Sequence, residues 1–225
     1  MNCSLDKVIY QLSTTECLNR LKHPTLPTIA ILAVGSASYE NFLLSDETSD
    51  VDLMVVVESD TPLYSSGERF YVGDRSVSSF FVSSTTLFSE NPGLPFLHRN
   101  LFYLIYLSPM DSPLYCTDAF TSLWDEHRDR WEDIRNRALF TYLRRNKQVL
   151  LHLYSGTFSL DMITKKIFYL MYIYYRLKGI TDFDSSQLMR IKRGKYSLLS
   201  EDDKTFIRKV AEQLLLYLHD GNTSR

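Results

Sequence analysis

The chain has 225 residues, 44% of them hydrophobic and 23% charged, with a formal net charge of −2. That is enough apolar material for a real core, and it excludes disordered, collagen-like and coiled-coil chains. One domain, or two halves sharing an interface, is expected at this length.

The charge is unevenly spread. Residues 1–89 hold 5 Lys and Arg against 11 Asp and Glu, whereas residues 90–225 hold 20 against 16. An acidic front half can hold cations, and a mildly basic back half can face phosphates; ordinary solvated helix faces account for the back half nearly as well. No run approaches the roughly 20 apolar residues of a membrane span, so no membrane partner is expected. Asp6 stands ahead of any apolar run, which argues against a signal peptide. Cys3, Cys17 and Cys116 are few, scattered and odd in number, pointing to a reducing, cytoplasmic setting rather than a disulfide framework.

In chain order, residues 5–22 place Leu5, Val8, Ile9, Leu12, Leu18 and Leu21 near helical spacing, predicting an amphipathic helix. The prolines of HPTLPT end it. TIAILAV (28–34) and VDLMVVV (51–57) are short continuous apolar runs, the pattern of buried strands. ERFYV, Gly73-Asp74 and RSVSSFFVS predict a β-hairpin. After Asn91-Pro92-Gly93 the pattern turns helical, with helices expected near 96–107, 117–130, 132–154, 159–178 and 201–219, and with Gly156, Gly179 and Gly221 at their C-caps. Strands first and helices after is an α+β arrangement: a small mixed β-sheet with flanking helices, then a helical C-terminal half. The division expected is 1–90 for the sheet-bearing domain and 91–225 for a helical domain that shapes the cleft.

The chemistry concentrates in Val34-Gly35-Ser36-Ala37-Ser38-Tyr39 and Ser49-Asp50-Val51-Asp52-Leu53. Alternation along a strand sends Asp50 and Asp52 to one side and Val51 and Leu53 into the core. Two adjacent carboxylates repel unless something neutralises them. Oxygen-only ligands favour Mg²⁺ or Mn²⁺, and Mg²⁺ typically takes one or two carboxylates plus substrate phosphates. A Gly-Ser after a buried strand lets backbone N–H groups approach an anion, and the Ser36 hydroxyl can donate to a phosphate oxygen. A phosphate cradle feeding a pair of acids is equipment for phosphoryl or nucleotidyl transfer.

Gly35-Ser36 followed by Ser49-Asp50-Val51-Asp52, with apolar strands on both sides, resembles the DNA polymerase β-type nucleotidyltransferase superfamily over residues 28–82. The Ala-Ser-Tyr after Gly-Ser is similar to that of the small nucleotidyltransferases of bacteria and phages. The resemblance implies that Gly35, Ser36 and Ser49 contact an NTP such as ATP, that Asp50 and Asp52 hold Mg²⁺ ions, and that the helical half shapes the acceptor site. The acceptor would be an RNA or tRNA, a protein or a small molecule. The family also supplies a third carboxylate from a later strand. RSVSSFFVS instead carries Ser76, Ser78 and Ser79, and the nearest acids are Glu68, at a strand start, and Asp74, in the hairpin turn. Asp74 is the candidate third catalytic acid; without one, the chain is either a slow enzyme or a binding-only relative.

Other candidates lie further on. Arg145-Asn146 and His152, seven positions apart on one helix, resemble the HEPN-type ribonuclease motif, in which His is a general acid or base; a plain surface helix is the alternative. Lys165-Lys166 and the run Arg190 to Lys195 are basic clusters suited to a triphosphate or polynucleotide, or simply solvated. The aromatic series Phe168, Tyr169, Tyr172, Tyr174 and Tyr175 suits a base-stacking platform, with core packing the better reading of Phe168, Tyr172 and Tyr175. His23, His98, His127 and His219 show no paired zinc spacing.

Overall fold

The apolar runs TIAILAV and VDLMVVV form β1 (Thr28–Val34) and β2 (Val51–Val57), paired antiparallel inside a mixed sheet. This computed structural model describes residues 12–34, 50–73, 75–89, 93, 109–111, 113–156, 164–180, 187–188, 190–191 and 198–223, with the backbone only at 164–165 and 221–223. The expected hairpin is present as β3 (Tyr64–Val72) and β4 (Arg75–Ser83). Gly73 turns it with a left-handed φ of 64°, a conformation that glycine adopts without a Cβ clash. β4 then runs parallel to β2. A short strand, β5 (Pro113–Cys116), pairs with the free side of β1, giving the order β3-β4-β2-β1-β5.

Alternation along these strands assigns two faces. On one, helix α1 (Thr15–Leu21) and Leu12 pack over Ile31, Ala33, Val51, Leu53, Val55 and Val77. Leu53 and Val55 are fully buried, each contributing about 1.5–3 kcal/mol of apolar transfer free energy. On the other face Leu32, Met54, Val56, Phe80 and Val82 are equally buried. The sheet is thus apolar on both sides through its middle, which is why β1 and β2 read as continuous rather than alternating runs.

Short helices follow the strands with their caps in place. Ser83 accepts from Thr86 N–H at the start of α2 (Ser84–Leu87). Thr117 accepts from Phe120 N–H at the start of α3 (Asp118–His127), and its own hydroxyl donates to the Ile29 carbonyl. A 3₁₀ turn, Arg128–Arg130, leads into α4 (Trp131–Arg145). Then come α5 (Lys147–Ser155), α6 (Thr164–Leu177) and α7 (Glu201–Thr223). The chain divides into two compact units, Met1–Ala138 and Leu139–Arg225, and the first holds the whole sheet. The fold class is α+β, a mixed sheet with flanking helices and a helical C-terminal half.

Three expectations are corrected. The helix expected over 132–154 is two helices that meet at Asn146, whose backbone departs from helical values at φ −101° and ψ 15°; its buried side-chain amide donates to the Tyr142 carbonyl at 2.9 Å, beside its own N–H. Gly221 is no C-cap, since α7 continues to Thr223. β5 is a strand in a stretch that reads helical, and it lies beyond residue 90. Gly156 and Gly179 do cap helices, with φ of 69° and 64°. The helix expected at 96–107 lies outside the described residues, as do residues 5–11 of the first helix. Among the described residues no helix is long and apolar enough to cross a membrane.

Candidate functional site

On the face opposite α1, the sheet changes character toward the start of β2. Met54 is fully buried, but two residues earlier Asp52 is only half-buried. Cross-strand pairing sets Val34 beside Asp52, Asp52 beside Ser78, and Ser78 beside Arg69. One row of side-chain positions therefore crosses four strands, with an acid, a hydroxyl and a guanidinium in sequence. Val51 and Leu53 turn the other way into the α1 core, as the alternation predicts.

A carboxylate among apolar strand residues is costly unless its oxygens are bonded. The Ser78 hydroxyl meets that need by donating to Asp52 Oδ1 at 2.5 Å. Asp50 lies just before β2 with its side chain 55% exposed, and Arg69 Nη2 stands 3.6 Å from its Oδ2. The same guanidinium donates from Nε to Ser76 Oγ at 3.0 Å. Arg69 thus links Ser76 of β4 to Asp50 of the acid pair, and sequence reasoning missed it. The signal was available: counting outward from the Gly73-Asp74 pair in the sequence sets Val72 with Arg75 and arrives at Arg69 opposite Ser78, the register observed.

Ser76, Ser78 and Ser79 of β4 each have an assignment. Ser76 accepts from Arg69, Ser78 donates to Asp52, and Ser79 donates to the Glu68 carbonyl at 3.1 Å. Ser79 is 3% exposed and sits where the β3–β4 register shifts between Ser66 and Arg69. Glu68 is not at a strand start, as expected, but within β3. Arg20 of α1 holds its Oε2 at 2.7 Å, and the same guanidinium lies 5.0 Å above the Phe70 ring of the α1 core. Glu68 is therefore committed to the α1 side, away from Asp52. Asp74, the other candidate third acid, lies outside the described residues. So do Gly35, Ser36, Ser49 and the Asn91-Pro92 pair; β1 ends at Val34, the residue before Gly35 in the sequence, and Val34 is the partner of Asp52.

The donor set fits a hard divalent cation of the kind that keeps several waters. It offers two carboxylates, with Oδ2 of Asp52 left over from the Ser78 bond, and Mg²⁺ sites typically use one or two carboxylates plus substrate oxygens. It does not form a closed protein cage: among the described residues no group of three or more His, Cys, Asp and Glu could hold a metal ion. A groove of about 460 Å³ in this unit lies elsewhere, lined by Glu16, Cys17 and Arg20 of α1, by Phe70 to Val72 of β3 and by Gly73. Its walls come from the Arg20–Glu68 side, and size alone does not make it the chemical site.

In the second unit, Lys166 is half-buried in the first turn of α6, and only the backbone of Lys165 is described. Arg145 ends α4 and His152 belongs to α5, so the break at Asn146 removes the single helical face on which the ribonuclease motif depended. Arg190 is taken up by Asp203, donating from Nε at 3.1 Å and from Nη2 at 3.0 Å. Phe168, Tyr172 and Tyr175 are core residues with 2%, 2% and 6% exposure. Elsewhere, His23 Nδ1 accepts from Thr25 and Leu26 N–H to fasten the HPTLPT turn, and His127 stacks on Phe88 with centroids 4.6 Å apart.

No protein-family model matches the chain, and no curated protein matches it. Among solved structures it is similar to a nucleotidyltransferase-like protein from Exiguobacterium sibiricum 255-15, at 18% identity over 93% of this chain and 75% of that one, with a TM-score of 0.32. At that score the functional reading rests on the chain's own strands and side chains.

Proposed function

We propose that this chain is a nucleotidyltransferase: it binds an NTP with Mg²⁺ or Mn²⁺ at Asp50 and Asp52 and transfers the nucleoside monophosphate to an acceptor hydroxyl, releasing pyrophosphate. The observation that carries the reading is the row Val34, Asp52, Ser78, Arg69, which sets a half-buried carboxylate beside the strand that leads into Gly35-Ser36. An acid in a strand that is otherwise fully apolar is costly to bury.

The roles follow from the positions. Asp50 and Asp52 supply the oxygens for the ion, and Ser78 fixes the Asp52 carboxylate so that Oδ2 stays available. When bound there, the ion neutralises phosphate charge and lowers the pKa of the attacking hydroxyl. Ser36, with Gly35 and Ser49, would contact the triphosphate, as the superfamily motif implies. Lys165 and Lys166 are further candidates for phosphate contact. The acceptor class is RNA or tRNA, a protein hydroxyl or a small molecule.

A second reading has its own observation. β4 carries serines at the positions where the superfamily places a third acid, and all three are engaged. A protein so built would bind nucleotide, or a partner through the same cleft, without turnover.

One experiment separates the two. The protein is incubated with each α-labelled NTP, Mg²⁺ or Mn²⁺, and a whole-cell extract, beside an Asp50→Asn/Asp52→Asn variant. Label entering a defined RNA, protein or small-molecule band only with the native pair supports transfer and names the acceptor class. Saturable nucleotide binding that needs the acid pair, with no label transferred, supports the binding reading. Loss of neither binding nor transfer in the variant would sink both.

A further inference from the structure

We propose that Arg69 is a built-in countercation for the acid pair, partnering Asp50 until a divalent ion displaces it. The proposal rests on the reading of Asp50 and Asp52 as the ion's ligands. It starts from a charge balance. Two carboxylates on one face, two residues apart, stand roughly 6–7 Å apart along the chain, and they need positive charge nearby whether or not a metal is bound. The described residues supply it from β3. Arg69 is set opposite Ser78 by the hairpin register, anchored by its Nε bond to Ser76, and it offers Nη2 to Asp50.

The geometry is that of an exchangeable partner. The Nη2–Oδ2 separation of 3.6 Å is longer than a direct charge-assisted hydrogen bond, which runs about 2.7–2.9 Å, and it is not the bidentate fork of a locked Arg–carboxylate pair. Both side chains are more than half exposed, at 65% and 55%, so the contact is screened and weak. Asp52, by contrast, is held by a neutral hydroxyl at 2.5 Å. The two acids therefore differ: one is positioned by Ser78 and the other is charge-compensated by Arg69. A divalent ion placed between them would stand within a few ångströms of the guanidinium, and like charges that close oppose each other. Arg69 must then swing off Asp50 on its exposed stem, and an arriving anion is the partner it would turn to.

The test is Mn²⁺ binding to the full chain, followed by electron paramagnetic resonance of free Mn²⁺, with no nucleotide present. Five variants are compared with the native chain: Arg69→Gln, Arg69→Lys, Asp52→Asn, Asp50→Asn and the double variant Asp50→Asn/Arg69→Gln. Arg69→Gln is expected to bind Mn²⁺ about three- to tenfold more tightly than the native chain, the size expected for removing one screened like charge. Arg69→Lys keeps the charge and should stay within about twofold of native, and circular dichroism melts confirm that the variants are folded. In the Asp50→Asn background, Arg69→Gln should change the affinity little, because the shared partner is gone. Equal or weaker Mn²⁺ binding by Arg69→Gln, while Asp52→Asn still abolishes it, would overturn the countercation and leave the metal reading standing. Mn²⁺ binding that is insensitive to Asp52→Asn, or absent from native and Arg69→Gln chains alike, would overturn both.

Discussion

Ser78 stands directly opposite Asp52 in the parallel β2–β4 ladder and donates its hydroxyl to Oδ1 at 2.5 Å. On β4 it is the position paired with Asp52 on the same face, and a side chain there either orients Asp52 or adds to its charge. Ser78→Ala is expected to cost about 1 kcal/mol in urea denaturation, the usual net contribution of one hydrogen bond. Ser78→Asp should do more: three carboxylates in one row repel, so the ion-free protein loses about 1–2 kcal/mol. Millimolar Mn²⁺ or Mg²⁺ should then restore most of that loss, since an ion that binds only the folded state stabilises it. A Ser78→Asp variant whose denaturation midpoint ignores the ion would show that β4 does not face the cation.

Gly67 is fixed by what lies across from it. A Cβ there would stand 2.4 Å from Ser79 Oγ and 3.2 Å from the Ser79 carbonyl oxygen, and the hydroxyl cannot simply yield because it is buried and bonded to the Glu68 carbonyl. Gly67→Ala is expected to lower stability by about 1–3 kcal/mol, the range for overpacking a closed site. Ser79→Ala added to it should recover part of the loss, a coupling that a double-mutant cycle measures directly.

How much of this was legible beforehand depends on the range of the interaction. β1, β2 and the Gly73 hairpin follow from apolar runs and a two-residue turn, and these are local signals. The Asp50–Asp52 pair was legible because a strand's period of two is enough to assign its face. Arg69 was not read as part of the site, because its place depends on a cross-strand register. β5 was missed because four residues beginning at Pro113 carry no periodicity, and an edge strand tolerates the missing N–H of a proline. The break at Asn146 was missed for another reason: Arg144, Arg145 and Lys147 around it favour helix, so no local signal marks the end of α4 there.

Gly156 closes α5 with φ of 69°, and its N–H returns to the Leu153 carbonyl. A side chain in this left-handed cap is strained unless it is asparagine-like. Gly156→Ala is expected to cost about 1 kcal/mol and Gly156→Asn less, read from the shift in urea midpoint at unchanged slope. A built Cβ would meet Arg208 Nε only at 3.4 Å, an ordinary contact, so an alanine penalty well above that figure would point to crowding rather than backbone strain.

Asp203 gives the second unit a dependence on pH. Its side chain is 2% exposed, and the Arg190 bonds, with help from Gln187 and the Ser200 turn, hold its carboxyl down at about 2 against an ordinary 3.8. A folded-state pKa below the unfolded one means that the stabilisation is complete above pH 5 and drains away as pH falls through 4 toward 2. The shift corresponds to about 1–2 kcal/mol once the half-exposed Arg190 is allowed for. Thermal melts of the native chain between pH 6 and 2 should show that loss. Asp203→Asn should begin less stable at pH 6 and lose less over the same interval, so that the two curves converge at the acid end. Parallel curves, offset by a constant amount, would mean that the acid unfolding is driven by other carboxylates and that Asp203 contributes through packing alone.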